Sequence, residues 1–381
     1  MTDSKRSPPG SGSVHGMLRE VQRLATTGAR AVEPYVHAGV QYLAVPQLAC
    51  DHPGQPAAMT AGNSDVDLMI YRWQGDAIGY VEHQRLPVPG GEDAEFFSIG
   101  ERCFLATASL RAGSGPYVMD ISSTVYELRG DRFEPFQSFE TYAAKQWTHF
   151  TLGEEHFLAL AQGVPLPGVP LERNRRSVIH RWNGQRFEPH QEIPSAWGYN
   201  WLALQVGGEQ LLAYADHIEP TRLMRWNGRL FEPFQRLEGV SGRAFCAFQS
   251  RDQHWLACAH LHDDSLLYRW DGRQYVRHQV LSEAGGRELV WLPSHTAHGA
   301  DRLVQVNFIH GTREAPQPAL DSVIYAWQDD HLETVDTFAT SGGTDAAVYT
   351  HAGRRYLAVS NSLSAEVRYR ADTVIYEITG G

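Results

Sequence analysis

The sequence predicts an all-β protein built from one repeated unit, and three observations carry this prediction. A tryptophan followed by Asn-Gly or Asp-Gly recurs at positions 182, 226 and 270, a spacing of 44 residues. A Leu-Ala pair or a close variant recurs seven times, at Leu43, Leu105, Leu158, Leu212, Leu256, Leu303 and Leu357. The segments between these markers are short apolar runs broken by turn residues. A fixed period in this range is typical of stacked or radial repeats.

Each unit is interpreted as four strands, A to D. Strand A is a short apolar run such as Ala244–Phe248, strand B carries the Leu-Ala pair, and strand C ends at a bulky marker. These markers are Trp73, Leu128, Trp182, Trp226, Trp270, Trp327 and Ile378. Asn183-Gly184 predicts a two-residue type I′ hairpin between strands C and D, with positive φ at both residues. Strand D contains Glu-Pro, as at 188–189. Because proline cannot donate to a strand ladder, strand D is expected at the sheet edge.

Four antiparallel strands with an outer edge and two covered faces describe a propeller blade. Seven markers therefore predict a seven-bladed β-propeller of four-stranded antiparallel blades. We expect one propeller domain over residues 18–381. Residues 1–17 are rich in Gly, Ser and Pro and are predicted to be a disordered leader.

The N-terminal segment is predicted to complete the last blade. The chain ends soon after its seventh strand C, so that blade lacks an outer strand. Leu24–Gly39 aligns without a gap to Phe338–Gly353, which gives the preceding residues a strand D position. We predict that Leu18–Leu24 pairs with the C-terminal strand near Val374–Ile378 and closes the ring. A helix over residues 16–26 is the local alternative.

Composition limits the partners and the location. With 33 basic and 44 acidic residues, the net charge is −11. This balance argues against nucleic acid or an anionic membrane as the partner, because both are bound through clustered Lys and Arg. No export signal or membrane-spanning run is visible, which predicts a cytoplasmic protein. The four cysteines lack metal-ligand spacing and are expected to be reduced, although Cys246 and Cys258 could also pair across one hairpin.

The units resemble the epilepsy-associated (EAR) repeats, also called EPTP repeats. Their pattern of Tyr-Leu-Ala, then Val-Tyr-x-Trp-x-Gly-x-Phe and a following Gln, is matched at 42–84, 177–191, 223–235 and 267–279. Looser matches lie at 125–137, 324–338 and 356–378, so the resemblance covers about residues 18–381. It implies a stand-alone seven-bladed propeller that acts as a protein-binding module. The family has no general catalytic signature to carry over.

One face of the predicted propeller is elaborated. The B–C connections are long, as at 47–66, 109–122, 162–176 and 307–322, whereas the A–B and C–D turns are mostly tight. In this strand order, the B–C and D–A segments lie on the same face around the channel mouth. Binding residues concentrate on such loops, so this face is predicted to bind the ligand.

Two polar rings are predicted near this rim. The first comprises Gln47, Ser109, Gln162, Asp216, His260, Asn307 and Asn361. The second comprises Arg30, Glu92, Lys145, Tyr199, Arg243, Arg287 and Thr344. We interpret them as a shallow polar pocket with aromatic walls from Trp147, Trp197 and Tyr199, whereas Trp201 is expected in the core. The alternative is that strand ends are polar because they meet water.

Two further groups of residues could carry chemistry. His260, His262, Asp216 and His217, with Asn307 and His310 in the next blade, could bind a transition metal or act as general acid and base. A solvated loop is the alternative. Asp93, Glu288 and Asp345 follow the second ring by one residue, and their oxygens would suit calcium in the channel. A channel filled with water is the alternative.

Two functions follow from the sequence. The first is a soluble binding module that holds a protein or a small ligand on the long-loop face. The second is a small-molecule enzyme that uses the His260, His262, Asp216 and His217 group in an aromatic-lined mouth. No nucleophile elbow, phosphate loop or dinucleotide motif is present.

Overall fold

The structure is a computed structural model that describes residues 14–165, 176–294 and 299–379. The described residues form strands and no helix, in seven main sheets around a central channel. The predicted seven-bladed β-propeller is therefore confirmed. A separate small hairpin, β25 (His310–Gly311) and β26 (Pro316–Gln317), lies in the B–C connection of blade 6.

Each blade runs from an inner strand A to an outer strand D. Blade 1 contains β3 (Glu33–His37), β4 (Val40–Val45), β5 (Leu68–Trp73) and β6 (Tyr80–Leu86). Blade 2 contains β7 (Gly91–Ile99), β8 (Arg102–Ser109), β9 (Asp120–Arg129) and β10 (Arg132–Tyr142). Blade 3 contains β11 (Ala144–Leu152), β12 (Glu155–Gln162), β13 (Arg176–Trp182) and β14 (Phe187–Pro194). Blade 4 contains β15 (Gly198–Val206), β16 (Glu209–Asp216), β17 (Arg222–Trp226) and β18 (Phe231–Arg236).

The remaining blades follow the same order. Blade 5 contains β19 (Gly242–Ser250), β20 (Gln253–His260), β21 (Ser265–Trp270) and β22 (Tyr275–Ser282). Blade 6 contains β23 (Gly286–Leu292), β24 (Arg302–Asn307), β27 (Ala319–Gln328) and β28 (His331–Ser341). Blade 7 contains β29 (Gly343–His351), β30 (Arg354–Asn361), β31 (Thr373–Ile378) and the N-terminal β2 (Leu18–Leu24), with β1 (Val14–His15) beyond it.

The ring closes through the N-terminal strand. β2 pairs antiparallel with β31, with Leu18 opposite Ile378 and Leu24 opposite Thr373. The predicted closure is therefore confirmed, and the helical alternative is wrong. Of the leader predicted over residues 1–17, residues 1–13 lie outside the described part. The described chain already pairs as β1 at Val14–His15.

The turns between strands C and D differ from the prediction. Strand C of blade 3 ends at Trp182 and strand D begins at Phe187, so four residues connect them. Gly184 has φ +97°, but Asn183 does not share positive φ. Instead, Asn183 Oδ1 accepts the backbone N–H groups of Gln185 and Arg186 at 2.9 Å each. The type I′ prediction was wrong, because the asparagine side chain organises a wider turn.

The apolar core lies between neighbouring blades. Buried side chains of blades 4 and 5 pack together, among them Leu223, Phe245 and Tyr268. Equivalent clusters join the other neighbours, and one cluster joins blade 7 to blade 1 through Leu24, Val32 and Ile375. Strands B and C are apolar on both faces because each sheet is covered on both sides.

A glutamine on strand D clamps the blade to the next one at six of the seven junctions, and between blades 6 and 7 Asp336 Oδ2 accepts the backbone N–H of Met17 instead. Gln191 Oε1 accepts the backbone N–H of Phe231 at 2.8 Å, and Gln191 Nε2 donates to the carbonyl of the same residue at 2.8 Å. The same double hydrogen bond joins Gln84 to Phe133, Gln137 to Phe187, Gln235 to Tyr275, Gln279 to Leu332 and Gln22 to Tyr80. Gln22 thus fastens the N-terminal strand to blade 1. The following Gln in the repeat pattern has this physical role.

Histidines beside these glutamines reinforce the clamp. His83, His190 and His278 were predicted to be half-buried packing residues, and each packs edge-to-face against an aromatic ring. Each Nε2 also lies 2.7–2.8 Å from a backbone carbonyl of the next blade.

All four cysteines are free, as expected for reduced thiols. Cys246 lies opposite Ala257 in the A–B ladder, and Cys258 lies opposite Phe245. The disulfide alternative for this pair is therefore wrong. Burial raises the pKa of Cys246 to about 12, so this thiol stays protonated. The cytoplasmic location stays a prediction.

Candidate functional site

A cavity of about 270 Å³ lies at the channel mouth on the long-loop face. Its walls come from B–C connections, such as those of Leu48, Leu110 and Leu261, and from the starts of strands A, such as Arg30 and Lys145. The B–C and D–A segments therefore meet at one mouth, as the strand order predicted.

The rim of the mouth is held by one backbone hydrogen bond in each blade. The donor is the backbone N–H of a residue that follows strand B, and the acceptor is a backbone carbonyl in the D–A turn. The donor and acceptor pairs are Leu48 and Gly28, Leu110 and Gly90, Gly163 and Ala143, His217 and Trp197, Leu261 and Ser241, Phe308 and Gly285, and Ser362 and Gly342. Because the bond recurs in every blade, the loops that line the cavity are fixed to each other before a ligand arrives.

The first predicted ring has a structural role. Gln47 Oε1 accepts the N–H of Thr27 at 2.8 Å, and its Nε2 donates to the carbonyl of Asp67 at 2.7 Å. Gln162 and Asn361 make the same pair of bonds to their own loops. Asn307 Nδ2 likewise donates to the carbonyl of Asp321 at 2.8 Å, whereas Ser109 is bonded through its backbone N–H, which donates to Ser123 Oγ. These side chains hold the loops and do not line the cavity, so the expected polar pocket lining is wrong for this ring.

The second predicted ring converges on the channel. Six members, Arg30, Glu92, Lys145, Tyr199, Arg243 and Arg287, line the cavity. Thr344 lines the narrower channel beneath it, which has a volume of about 80 Å³. Neighbouring members of this ring are 44 to 62 positions apart in the chain, and the repeat period alone predicted that they converge.

A β-bulge explains why this ring faces inward. At the start of strand A the A–B pairing skips one residue, for example between Gly242 and Ala244, which leaves Arg243 unpaired. The skipped residues in the other blades are Glu92, Lys145, Tyr199, Arg287 and Thr344. A bulge re-aims a side chain, so consecutive residues such as Glu92 and Asp93 both reach the channel.

Positive charge dominates the cavity floor. Glu92 Oε1 lies 3.3 Å from Lys145 Nζ and 3.5 Å from Arg30 Nε. Burial alone would raise the pKa of Glu92, but Lys145, Arg30 and Arg287 hold it below its usual value. Glu92 is therefore ionised and partners two of the four cations.

Tyr199 lies among the remaining cations. Its ring centroid is 3.9 Å from Arg243 Cζ, 5.0 Å from Lys145 Nζ and 5.4 Å from Arg287 Cζ. Burial opposes ionisation of the phenol, but the three cations outweigh it and lower the pKa of Tyr199 to about 8. The floor thus combines guanidinium groups with an acidic phenol.

An apolar collar surrounds the mouth above this floor. Leu48, Leu110, Leu261, Phe308 and Ile309 are buried and pack with Met59, Met119 and Val164. The collar is not among the predicted site residues, because the predicted ring consists of the polar residue near the end of strand B. The apolar signal stands one residue later, at Leu48, Leu110, Leu261 and Phe308.

The predicted aromatic walls are only partly in place. Trp197 and Tyr199 line the cavity. Trp147 is fully buried between blades 2 and 3, and its Nε1–H donates to the carbonyl of Thr107, so it does not form a wall. Trp201 is in the core, as expected. Strand alternation sends Trp147 away from the channel, whereas Tyr199 occupies the bulge.

The predicted histidine cluster separates into two layers. Asp216 is fully buried and accepts backbone N–H groups of Ala196, Trp197, Ile218 and Glu219. His260 is also fully buried, with Nδ1 2.8 Å from the carbonyl of Asp264. Only His217 and His262 line the cavity, with ring centroids 5.4 Å apart.

The geometry does not support a metal at these histidines. Within residues 14–165, 176–294 and 299–379, no three His, Cys, Asp or Glu side chains gather closely enough to hold a metal ion. Burial and the charge of Arg243 lower the pKa of His217 to about 3, so its ring is neutral at physiological pH. His310 is exposed on the blade 6 hairpin, where Nε2 lies 3.0 Å from the carbonyl of Ala284.

The channel carboxylates bind backbone groups. Asp93 Oδ2 accepts the N–H of Trp147 at 2.8 Å, and Asp345 Oδ2 accepts the N–H of Val32 at 2.6 Å. Glu288 Oε1 accepts the N–H of Leu289. Each innermost strand has one unpaired edge, and these oxygens satisfy part of it. All three line the same narrow channel, but in the part of the chain that the structure describes no three His, Cys, Asp or Glu side chains gather closely enough to hold a metal ion, so the geometry does not support the predicted calcium site.

The fold and the cavity together define a β-propeller with a ligand-sized pocket at one channel mouth. Residues 132–183 and 186–227 match the EPTP domain family. With the relatives described next, these matches support an EPTP (EAR) repeat assignment for the matched part of the chain.

Two curated relatives carry the same name, thrombospondin-type laminin G domain and EAR repeat-containing protein. The Homo sapiens protein is 27% identical over 187 residues, which cover 48% of this chain and 26% of that protein. The Mus musculus protein is 26% identical over 257 residues, which cover 52% of this chain and 36% of that protein. The chain therefore matches between a quarter and about a third of the length of these relatives.

A solved structure supports the fold alone. A chain in the crystal structure of BBS1N in complex with ARL6DN, soaked with mercury, matches with a TM-score of 0.57 and 10% identity. The match covers 96% of this chain and 98% of that chain. Separately, the described residues include no helix of the length and hydrophobicity that a membrane crossing requires.

Proposed function

We propose that this propeller is a binding module that holds a small organic ligand in the cavity at its long-loop mouth. The observation that carries the proposal is the combination of an enclosed volume of about 270 Å³ with an apolar collar and a charged floor. Ligand sites in proteins are concave and mostly apolar, with a few convergent polar groups. The match to the EPTP domain family supports a binding role in general terms.

The rigidity of the rim also supports this proposal. One backbone hydrogen bond in each blade joins the B–C and D–A segments, so the cavity walls need little ordering when a ligand enters. A preorganised site loses less conformational entropy on binding.

The acid–base alternative has less support. Of its four residues, Asp216 and His260 are buried and bonded to backbone, and only His217 and His262 reach the cavity. The proposed pair of a histidine with an aspartate is therefore not assembled at the mouth. We accordingly place binding ahead of catalysis.

Filling the cavity tests the proposal. Leu261 is 7% exposed and lies in the collar. We expect Leu261→Trp to abolish binding of a library of small organic fragments, measured by saturation-transfer NMR. Val280→Trp is the matched control, because Val280 is exposed on an outer strand.

Overpacking costs ~1–3 kcal/mol, so Leu261→Trp could fail to fold. A second variant keeps the test informative in that case. His262 is exposed at the mouth, so His262→Trp blocks the same entrance with less strain. Fragment binding that persists unchanged in both mouth variants would contradict the proposed site.

A further inference from the structure

The charges of the cavity floor indicate the chemical class of the ligand, and this inference rests on the proposed function. We propose that the cavity takes a small organic carboxylate, with the anion at Arg243 and Arg287 and an apolar body against the collar of Leu261 and Phe308. Among the described residues, neither guanidinium group has a carboxylate within ion-pair distance.

The cavity has a strong excess of positive charge. Its lining contains six basic side chains, Arg30, Arg111, Lys145, Arg243, Arg287 and Arg313, and one carboxylate, Glu92. The whole chain has the opposite sign, with a net charge of −11. A cationic cleft in an acidic protein concentrates field at the cleft and attracts anions to it.

Some of these basic side chains already contact acceptor groups of the protein itself. Arg30 and Lys145 flank Glu92. Arg111 donates to Ser64 Oγ and to the carbonyls of Thr60 and Ala61, so it holds a B–C loop. These contacts leave Arg243 and Arg287 as the floor guanidinium groups available to a ligand.

Arg243 is 4% exposed and has only neutral acceptors. Its Nη1 donates to the carbonyls of Ser241 and Gly242 at 3.1 Å each. Among the described residues, no carboxylate lies within ion-pair distance of Arg243 or Arg287. A buried charge without a counter-ion is costly, and a bound anion would remove that cost.

Two neighbouring polar atoms also lack partners. Trp197 Nε1 and His217 Nδ1 are buried without a hydrogen-bond partner among the described residues, and both side chains line the cavity. Their rings are in contact, with centroids 4.3 Å apart. Buried polar groups are normally hydrogen-bonded, so these atoms are candidates for the polar end of the ligand.

A carboxylate with an apolar body fits better than a polyanion. A guanidinium presents two parallel N–H groups that match a carboxylate. The apolar part of the lining, however, consists of leucines, methionines, Val164, Phe308 and Ile309, which offer no donors to further charged groups. The cavity therefore has one charged end and one apolar end.

A matched probe set tests this inference. The probes are 3-phenylpropanoate, its neutral amide 3-phenylpropanamide, the cation 3-phenylpropylamine, and inorganic phosphate, each titrated by calorimetry against the full chain. We expect the carboxylate to bind about 10- to 100-fold more tightly than the amide, because hydrogen bonds to charged groups are the stronger ones. The amine is expected not to bind, and phosphate to bind more weakly than the carboxylate.

Substitution of Arg287 distinguishes a role in ligand binding from a role in stabilising the fold. Arg287→Met is expected to reduce carboxylate affinity about 10-fold or more while leaving amide affinity unchanged. The midpoint of thermal unfolding of the ligand-free variant should not fall, because the change removes a cation that has no carboxylate within ion-pair distance. Arg243→Met is the second variant, and exposed Arg269→Gln in blade 5 is the matched control.

The outcomes distinguish the two proposals. Equal affinity of carboxylate and amide, both lost in Leu261→Trp, would overturn the inferred ligand class and leave the binding site intact. Phosphate binding as tight as that of the carboxylate would overturn the role of the apolar collar. A probe that binds Leu261→Trp as well as the parent chain would overturn the site itself.

Discussion

At the scale of single residues, the propeller depends on side chains that bind backbone groups of another segment. Gln191 satisfies both the N–H and the carbonyl of Phe231 on the next blade, and Gln47 joins two loops of its own blade. A buried backbone group without a partner costs about 1–3 kcal/mol. These amides therefore stabilise the junctions between sheets that share no ladder.

Gln191→Ala tests the clamp. It removes two hydrogen bonds across the junction of blades 3 and 4 and should lower the free energy of unfolding by about 1–3 kcal/mol. Gln185→Ala in the neighbouring exposed turn is the control, with an expected change of less than about 0.5 kcal/mol. The midpoints of thermal or urea unfolding report both. Equal midpoints for the two variants would refute a stabilising role for the clamp.

The sequence predicted the members of both rings but not their roles. Alignment on the Leu-Ala pair placed Gln47 and Arg30 at equivalent depths, because a repeat fixes position. Polarity alone does not show whether a side chain meets the channel or a backbone N–H. The bulge that turns Arg243 inward depends on A–B pairing, which no local pattern of the sequence encodes.

At the scale of the strand, the inner edge is the element that needs most support. Strand A has one ladder partner, and its other edge faces the channel. Asp93 and Gln146 each accept a backbone N–H from strand A of the next blade. Asp345 in blade 7 accepts the N–H of Val32 in blade 1 across the ring closure. This contact explains why oxygen-bearing residues stand at these positions without a metal.

These carboxyls make stability depend on pH. Burial and the neighbouring carboxylates Glu95 and Asp345 raise the pKa of Asp93 well above its usual value. A carboxyl whose pKa is raised by folding binds more protons in the folded state. Its contribution to stability is therefore complete below its unfolded pKa of about 4 and is lost as pH rises through the folded pKa.

Asp93→Asn is the corresponding test. Asparagine keeps an oxygen for the N–H of Trp147 but does not titrate, so the variant should gain stability relative to the parent as pH rises. We expect the difference in unfolding midpoint, variant minus parent, to increase between pH 5 and pH 8.5, by scanning fluorimetry. Exposed Asp252→Asn should give a constant difference. A constant difference for Asp93→Asn as well would show that its carboxyl does not titrate abnormally.

Predictions from the sequence were accurate where they used the alignment of whole repeats, and less accurate where they used a motif of two residues. The gapless alignment of Leu24–Gly39 with Phe338–Gly353 located β2 correctly, although the segment was also compatible with a helix. The turn at Asn183-Gly184 was assigned from two residues, and the real turn uses the Asn183 side chain over four. Short motifs do not record such side-chain bonds.

At the scale of the whole molecule, closure of the ring is what assembles the charged mouth. Gln22 binds Tyr80, so the N-terminal strand fixes blade 7 against blade 1 as firmly as the other blades are joined. The closed ring then brings side chains from six blades to one floor, where Arg243 and Arg287 meet Tyr199. No single repeat contains this site.

The most direct test of the account is a crystal structure of the protein with 3-phenylpropanoate bound. We expect the carboxylate within hydrogen-bond distance of the Arg243 and Arg287 guanidinium groups, and the phenyl ring against Leu261 and Phe308 at the long-loop mouth. Density for the probe on the opposite face or along the outer strands, with an empty mouth, would contradict the central claim.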